Sequence, residues 1–383
     1  VFVDARPFLA TIRASGLVVI TWIRAAVPAL GTGIETESLA SHNFVSREKK
    51  ELLSMIVSIG MNILPGVWGG GNQFGRSLTA YLRSHDVHVV YDLTRKDIDI
   101  ILLTEPRQAL KSCAFTDDDI RRYCRAVNPF AAVVHRVHEC DEHKATTGVN
   151  ARLREANTCA HHTIFVSAWL RDLHLAQGMK PESHGVIHNG ADTWTFHSRG
   201  YLPWRGQGPL RLVTHHWDTN PYKGADIYLQ VDRMLADPRT SRMLDFTFIG
   251  NLPDGVSLRH ATVLPPMHGQ ELADTIRSHH VYLTGSQNDP AGMHHIEGAC
   301  CGLPLLFRNS GSLPEYCADY GLGFTGPDFE QVVAAMFASY RVWTDRLRLY
   351  PFTVERMCAR YHELFQKLLA QHVCAAFNAR LAQ

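Results

Sequence analysis

The sequence predicts an α/β protein built as two Rossmann-like, doubly wound parallel-sheet domains that face each other across a cleft. Three observations predict it. The chain has 383 residues, and at roughly one domain per ~150 residues that length favours two domains, each large enough for its own core. From Ser54 onward, short apolar runs alternate with longer segments of helical spacing, the grammar of βαβ units in a parallel sheet. A stretch rich in Gly, Pro and Trp, Gly200 to Pro209 (GYLPWRGQGP), interrupts the alternation once, after which the pattern restarts.

In the first domain the expected strands are 54–62, 87–92, 98–104, 131–137 and 162–167. Helices are expected at 74–84, 116–127, 149–160 and 168–178. In the second, strands are expected at 210–217, 244–249, 281–286 and 303–307, with helices near 223–236, 269–279, 292–301 and 328–346. The chain thus divides into an N-terminal segment (1–47) of open role, domains at 48–200 and 201–350, and a last helix (351–383) expected to cross back onto the first domain.

Lys plus Arg total 38 against 37 Asp plus Glu. That balance creates no field favouring nucleic acid, so any anionic ligand must be met by a local site. Nine cysteines are scattered without a Cys-x-x-Cys pair, which predicts reduced thiols and a cytoplasmic setting. Adjacent histidines occur at 161–162, 215–216, 279–280 and 294–295. Neighbours in a strand or helix point apart, so these pairs are read as surface or polar packing residues, with no metal site expected. The stretch Gly16 to Leu30 is shorter than the ~20 apolar residues of a membrane span and contains Arg24 and Pro28. No clear small-x-small cleavage pattern follows it.

The most informative segment is Gly285 to Pro304, GSQNDPAGMHHIEGACCGLP. A strand ends near Ser286, a polar turn follows, and Gly292 opens a helix carrying Glu297. The loop therefore lies at the carboxyl end of a parallel strand, where such sheets bind ligands, and the helix offers free N–H groups to a phosphate. Asp289 and Glu297 can both reach this crevice, and carboxylates suit sugar and ribose hydroxyls as acceptors. Upstream, Lys223-Gly224 follows the strand 210–217 and can place a point charge on a diphosphate. His188-Asn189-Gly190-Ala191-Asp192 closes the first domain. That domain opens with a glycine-rich loop, Leu64 to Asn72, where Gly69, Gly70 and Gly71 let backbone N–H groups approach a ligand. The spacing does not fit Gly-x-Gly-x-x-Gly, because Phe74 falls where the third glycine belongs. His138, Glu139 and Asp141 follow the strand beginning at Ala131.

In this order, these elements resemble the retaining GT-B glycosyltransferases of the family 4 kind, the glycosyl transferases group 1. Asp289 and Glu297 stand in the places of that family's Glu-x7-Glu element, with Asp for the first Glu. The run Glu297 to Pro304 follows its Glu-Ala-x-x-x-Gly-x-Pro pattern except for Gly298 in the place of Ala, and Gly311, Pro314 and Glu315 follow its Gly-x-x-Pro-Glu. Lys223-Gly224 is similar to the family's Lys-Gly, although no Arg precedes it, and Asn189 to Asp192 is similar to its Asn-Gly-x-Asp. The resemblance spans about Ser54 to Phe324.

The resemblance implies an acceptor domain at 48–200 and a nucleotide-sugar domain at 201–350. It implies Glu297 on the ribose, Lys223 with Gly224 and Gly292 at the diphosphate, and Asp289 and His138 as catalytic residues at the donor sugar. Gly69, Gly70, Gly71 and Asn189 would line the cleft. The implied reaction moves a hexosyl group from a nucleoside diphosphate sugar to a carbohydrate, lipid-linked or other hydroxyl acceptor, with retention and without a metal. No cofactor beyond the donor substrate is expected, nor a nucleic acid partner; peripheral membrane contact stays open. Two other readings also stay open: a GT-B-shaped binding or scaffold protein without turnover, and a sugar-nucleotide epimerase.

Overall fold

The structure, a computed structural model, describes residues 55–64 and 69–381, with side chains described to 372. The N-terminal segment 1–47 and loop residues 65–68 lie outside the described residues, as does the apolar stretch 16–30. Two six-stranded sheets account for the fold. The first contains β1 (Ile56–Ile59), β2 (His88–Val90), β3 (Ile100–Leu103), β4 (Ala132–Val137), β5 (His162–Phe165) and β6 (His184–Val186), in the order β2-β1-β3-β4-β5-β6. The second contains β7 (Leu210–His216), β8 (Leu244–Gly250), β9 (Thr262–Leu264), β10 (Val281–Thr284), β11 (Leu305–Arg308) and β12 (Gly321–Phe324), in the order β12-β11-β10-β7-β8-β9.

All pairings between these strands are parallel. Every residue of β1, β3, β4 and β10 is buried. Helices cover both faces of such a sheet, which is why these strands read as continuous apolar runs instead of alternating ones.

Three strands escaped the sequence pattern: β6, β9 and β12. Each is three or four residues long and sits at a sheet edge. Their composition (HGV, TVL, GLGF) forms no apolar run because an edge strand needs little burial. The helix expected from 74 begins at Gly70 instead. Its first turn is glycine and amide, and it lacks the apolar spacing that marks the rest. The helix expected over 223–236 is in fact a 3-10 turn, Pro221–Lys223, and an α-helix, Ala225–Leu235, separated by Gly224 in the left-handed region at φ 104°.

The final helix, Val354–Leu381, leaves the second domain and joins the core of the first. Its Met357, Cys358, Tyr361, Phe365 and Leu368 are buried with Phe74 and Leu78 of the Gly70–Ser84 helix, and Phe74 meets Tyr361 edge-on at 5.2 Å between ring centroids. The two chain segments that connect the domains lie side by side. Ala191 pairs with Thr353, and Gly190 is packed so closely that a Cβ there would stand 2.1 Å from the Thr353 carbonyl oxygen. Among the described residues, no helix is long and apolar enough to cross a membrane.

Phe365 is fully buried at this junction, so Phe365→Ala should cost about 3 to 5 kcal/mol through lost transfer energy and the cavity left behind. Urea denaturation checks this; an unchanged midpoint would mean the terminal helix is merely appended.

Candidate functional site

One cleft of about 840 Å³ lies between the sheets, walled by segments that follow the carboxyl ends of strands in both. On the second domain's side it sits at the topological switch point, because β7 has β8 on one flank and β10 on the other. The loops after β7 and β10 therefore diverge and leave a crevice between them. Lys223 comes from the first loop and Asp289 from the second.

Local geometry places Lys223. The Asn220 side chain accepts from the Tyr222 N–H at 3.0 Å and starts the turn, and Gly224 then packs against the backbone of Gly285, where a Cβ would stand 2.5 Å from the Gly285 Cα. Gly224 thus lies behind the cleft wall, not on its surface: its part is to bring the two loops together. Lys223 Nζ donates to Asp289 Oδ2 at 3.2 Å. Asp289 is 1% exposed. Burial alone would raise its carboxyl, but the Lys223 ammonium, aided by His143, holds it well below the usual carboxylate range.

The backbone around Asp289 is braced as well. The Ala291 N–H donates to Oδ1 at 3.2 Å and the Ser312 N–H to the Asp289 carbonyl at 2.8 Å. Gly311, at φ 61°, lets the second segment come that close.

Gly292 caps the helix Met293–Cys300 without any side-chain acceptor, and no acidic residue occupies its first turn. Its amide N–H groups are therefore available to an anion. Glu297, in the same helix, receives a hydrogen bond from His215 Nε2 at 2.9 Å on Oε2. A carboxylate only accepts, so Nε2 carries the proton, and His215 Nδ1 accepts from the Tyr282 hydroxyl at 2.9 Å. This chain fixes the carboxylate through Oε2, while Glu297 lines the cleft and Oε1 shows no hydrogen bond to the described residues. Beyond it, Ile249, Pro266, Met267 and Leu272 make an apolar wall.

The opposite wall comes from the first domain. Gly69, Gly70 and Gly71 line it, and Gly70 rests directly on Met293, so the openings of two helices meet across the cleft. His138 lines it too. Burial, with the nearby Arg136 guanidinium, pushes His138 down to about 4, so it is neutral at pH 7. Asn189 reaches the lining but is a bridge: it accepts from Arg136 Nη2 at 3.0 Å and donates to the Ala291 carbonyl at 2.9 Å.

The structure therefore brings Lys223, Asp289, Gly292 and Glu297 together with Gly69 to Gly71, His138 and Asn189 in one cleft, and leaves Gly224 outside its lining. Sequence reasoning missed His143, whose Nδ1 donates to the Gln287 carbonyl at 2.9 Å and whose Nε2 lies 4.0 Å from Asp289. It also missed the roles of His215, Arg136 and Glu315. The last binds the backbone N–H of Ala168 at 2.8 Å, and His188, across the domain boundary. The paired histidines are mostly buried packing residues, not surface ones. Among the described residues, no cluster with metal-binding composition and geometry is present.

No family profile matches the chain, and no curated protein matches it in sequence. Solved structures do match it. Sucrose-phosphate synthase from Thermosynechococcus elongatus superposes with a TM-score of 0.57 at 15% identity, over 83% of this chain and 100% of that one. A glycosyltransferase from Rickettsia africae gives 0.57 at 11% identity, over 82% and 98%. HepE of Anabaena, in complex with UDP and glucose, gives 0.53 at 14% identity, over 85% and 99%. These neighbours are glycosyltransferases of GT-B type, and at such identities the likeness is one of architecture. The chain has the GT-B fold.

Burial also holds His135 and His295 neutral, at about 3 and about 4. In the unfolded chain each of these histidines, like His138, takes up a proton near pH ~6.5. Below that pH the unfolded state binds more protons than the folded one, so stability is lost as pH falls toward the folded values. The urea midpoint should drop steadily between about pH 7 and about pH 5. A flat midpoint over that range would show that these side chains are charged in the folded protein.

Proposed function

We propose that this chain is a glycosyltransferase that takes a hexosyl group from a nucleoside diphosphate sugar and passes it, with retention, to a hydroxyl acceptor. One observation carries the reading: a carboxylate with one free oxygen, an uncapped helix opening and a lysine–aspartate pair converge on one side of a cleft, opposite a second helix opening and a neutral histidine. Each suits one part of such a donor. Glu297 Oε1 is an acceptor for a ribose hydroxyl, beside the apolar wall that would take the base. The N–H groups after Gly292 and the Lys223 ammonium suit a diphosphate. Asp289 points the same way and accepts from sugar hydroxyls, with His138 across the gap.

In this reading, the bond from the anomeric carbon to the diphosphate oxygen breaks as the acceptor oxygen bonds to that carbon on the same face, and the acceptor hydroxyl's proton passes to the departing diphosphate. Lys223 and the helix amides stabilise the charge that develops on the leaving diphosphate, so the reading needs no metal. A lysine ammonium has three donors and can keep Asp289 while reaching a phosphate oxygen. The neighbouring HepE structure with UDP and glucose makes UDP the first donor fragment to try.

Glu297→Ala should weaken UDP binding by about 1.5 to 3 kcal/mol, the loss of one charged hydrogen bond, with the circular dichroism spectrum preserved. Calorimetry checks it; undiminished affinity would remove Glu297 from the site. Lys223→Met should nearly abolish sugar transfer. It also leaves Asp289 buried without a cation, a change that costs about 3 to 5 kcal/mol where a buried pair is broken, so the Lys223→Met, Asp289→Asn double variant is the proper stability control. Transfer by the intact protein should persist in a strong chelator, and a chelator-sensitive rate would overturn the metal-free part of the reading.

A further inference from the structure

The cations of the cleft are not equally compensated. Lys223 is paired with Asp289, and Lys144 with Glu139. Arg136 also lines the cleft, is 2% exposed, and has no carboxylate partner among the described residues. Its Nη2 donates to the neutral side-chain oxygen of Asn189 at 3.0 Å, its guanidinium lies 3.9 Å from the centre of the Phe74 ring, and its Nε has no partner. The neutral Tyr361 hydroxyl lies beside it and favours the charged guanidinium. A guanidinium keeps its charge even when burial acts against it. Held by a neutral amide and an aromatic face, it retains a desolvation cost that an arriving anion would offset.

The surroundings define where that anion belongs. Phe74 lies near the start of the Gly70–Ser84 helix, whose N-cap, Gly69, supplies no side-chain acceptor and whose first turn holds no acidic residue. A Cβ added to Gly69 or Gly71 would meet nothing within 4 Å among the described residues, and both glycines line the cleft. Arg76, in the same helix, lines the cleft and donates to the Leu64 carbonyl at 3.0 Å. The first domain's wall thus sets Arg76, Arg136 and Lys144 against Glu139 and Asp192, whereas Asp218, Asp289 and Glu297 stand with the single Lys223 on the other.

We propose that Arg136 and the opening of the Gly70–Ser84 helix form a phosphoryl-binding site on the first domain's wall, and that the acceptor is a phosphate-bearing hydroxyl compound. The assignment to an acceptor rests on the glycosyltransferase reading; the phosphoryl site does not. Its chemistry would equally fit the donor's diphosphate, and competition separates the two sources.

The experiment titrates inorganic phosphate into the intact protein at constant ionic strength, alone and with saturating UDP, followed by calorimetry. One phosphate should bind per chain with an affinity that UDP leaves unchanged. Arg136→Met should weaken it by about tenfold or more, and Arg136→Lys by less, since the point charge remains while the fork is lost. If Arg136→Met does not fold, two measurements still decide. The melting temperature of the unmodified protein should rise with phosphate but not with chloride of equal ionic strength, and Arg76→Gln should lower phosphate affinity several-fold (~3-fold or more).

Absence of phosphate binding by the unmodified protein overturns the site, as does an affinity indifferent to Arg136→Met. Displacement of phosphate by UDP overturns the acceptor assignment and gives Arg136 to the donor. Failure of UDP and of the other nucleoside diphosphates to bind while phosphate binds through Arg136 would sink the glycosyltransferase reading and leave the phosphoryl site standing.

Discussion

Asp289 is withdrawn from water almost entirely, and its carboxylate stays charged there because the Lys223 ammonium lies 3.2 Å from one of its oxygens. The two residues follow β7 and β10, which are neighbours in the sheet. Their attraction therefore ties together the two loops that the switch point would otherwise let diverge. The backbone contact of Gly224 with Gly285 and the bracing of Asp289 by Gly311 and Ser312 follow from the same demand: a buried ion pair is tolerable only when its geometry is fixed and its remaining lone pairs are satisfied. The open helix terminus at Gly292 is set by that arrangement, since a Cβ there would stand 2.9 Å from Asp289 Oδ2.

The first domain reaches over and holds this loop. Ser167 donates to the Pro290 carbonyl at 2.7 Å, Asn189 to Ala291, and His143 to Gln287. Glu315 fills the opposite need: its carboxylate takes up the free N–H groups at the start of the Ala168–Ala176 helix. Beneath these bonds runs an apolar cluster shared by both domains, with Val137, Phe165 and Leu170 from one and Ile296, Leu313 and Tyr316 from the other. The closed arrangement is consequently a packed state with its own hydrogen-bond network, and the cleft's chemistry is complete only while it persists.

Charge is divided unevenly across that cleft. On the second domain's wall acids outnumber the one lysine and offer acceptors to hydroxyl-rich groups. On the first domain's wall a buried guanidinium and an open helix terminus offer donors to an anion. Such complementarity orients a substrate by electrostatics before close contacts form. It arises from no excess in the whole chain, whose charges nearly balance.

What depends on near neighbours can be read along the chain. Strands buried on both faces read as apolar runs, so the alternation and the α/β fold with two parallel sheets were legible. Asn189, Lys223, Asp289 and Glu297 stand out in the sequence by their order, and the structure lines one cleft with them. What the sequence could not reveal was contact between distant positions: His215 fixes Glu297 from 82 residues away, and Glu315 caps a helix 147 residues earlier. Arg136 reads as an ordinary polar residue in a strand until folding leaves it buried without a carboxylate. Gly224 reads as a glycine that permits close packing at a helix start, but only the fold shows that Gly285 is what packs against it. Periodicity and local propensity come from forces acting within a few residues, whereas the partners that orient a side chain, neutralise it or leave it wanting are chosen only when separate strands and loops are packed together.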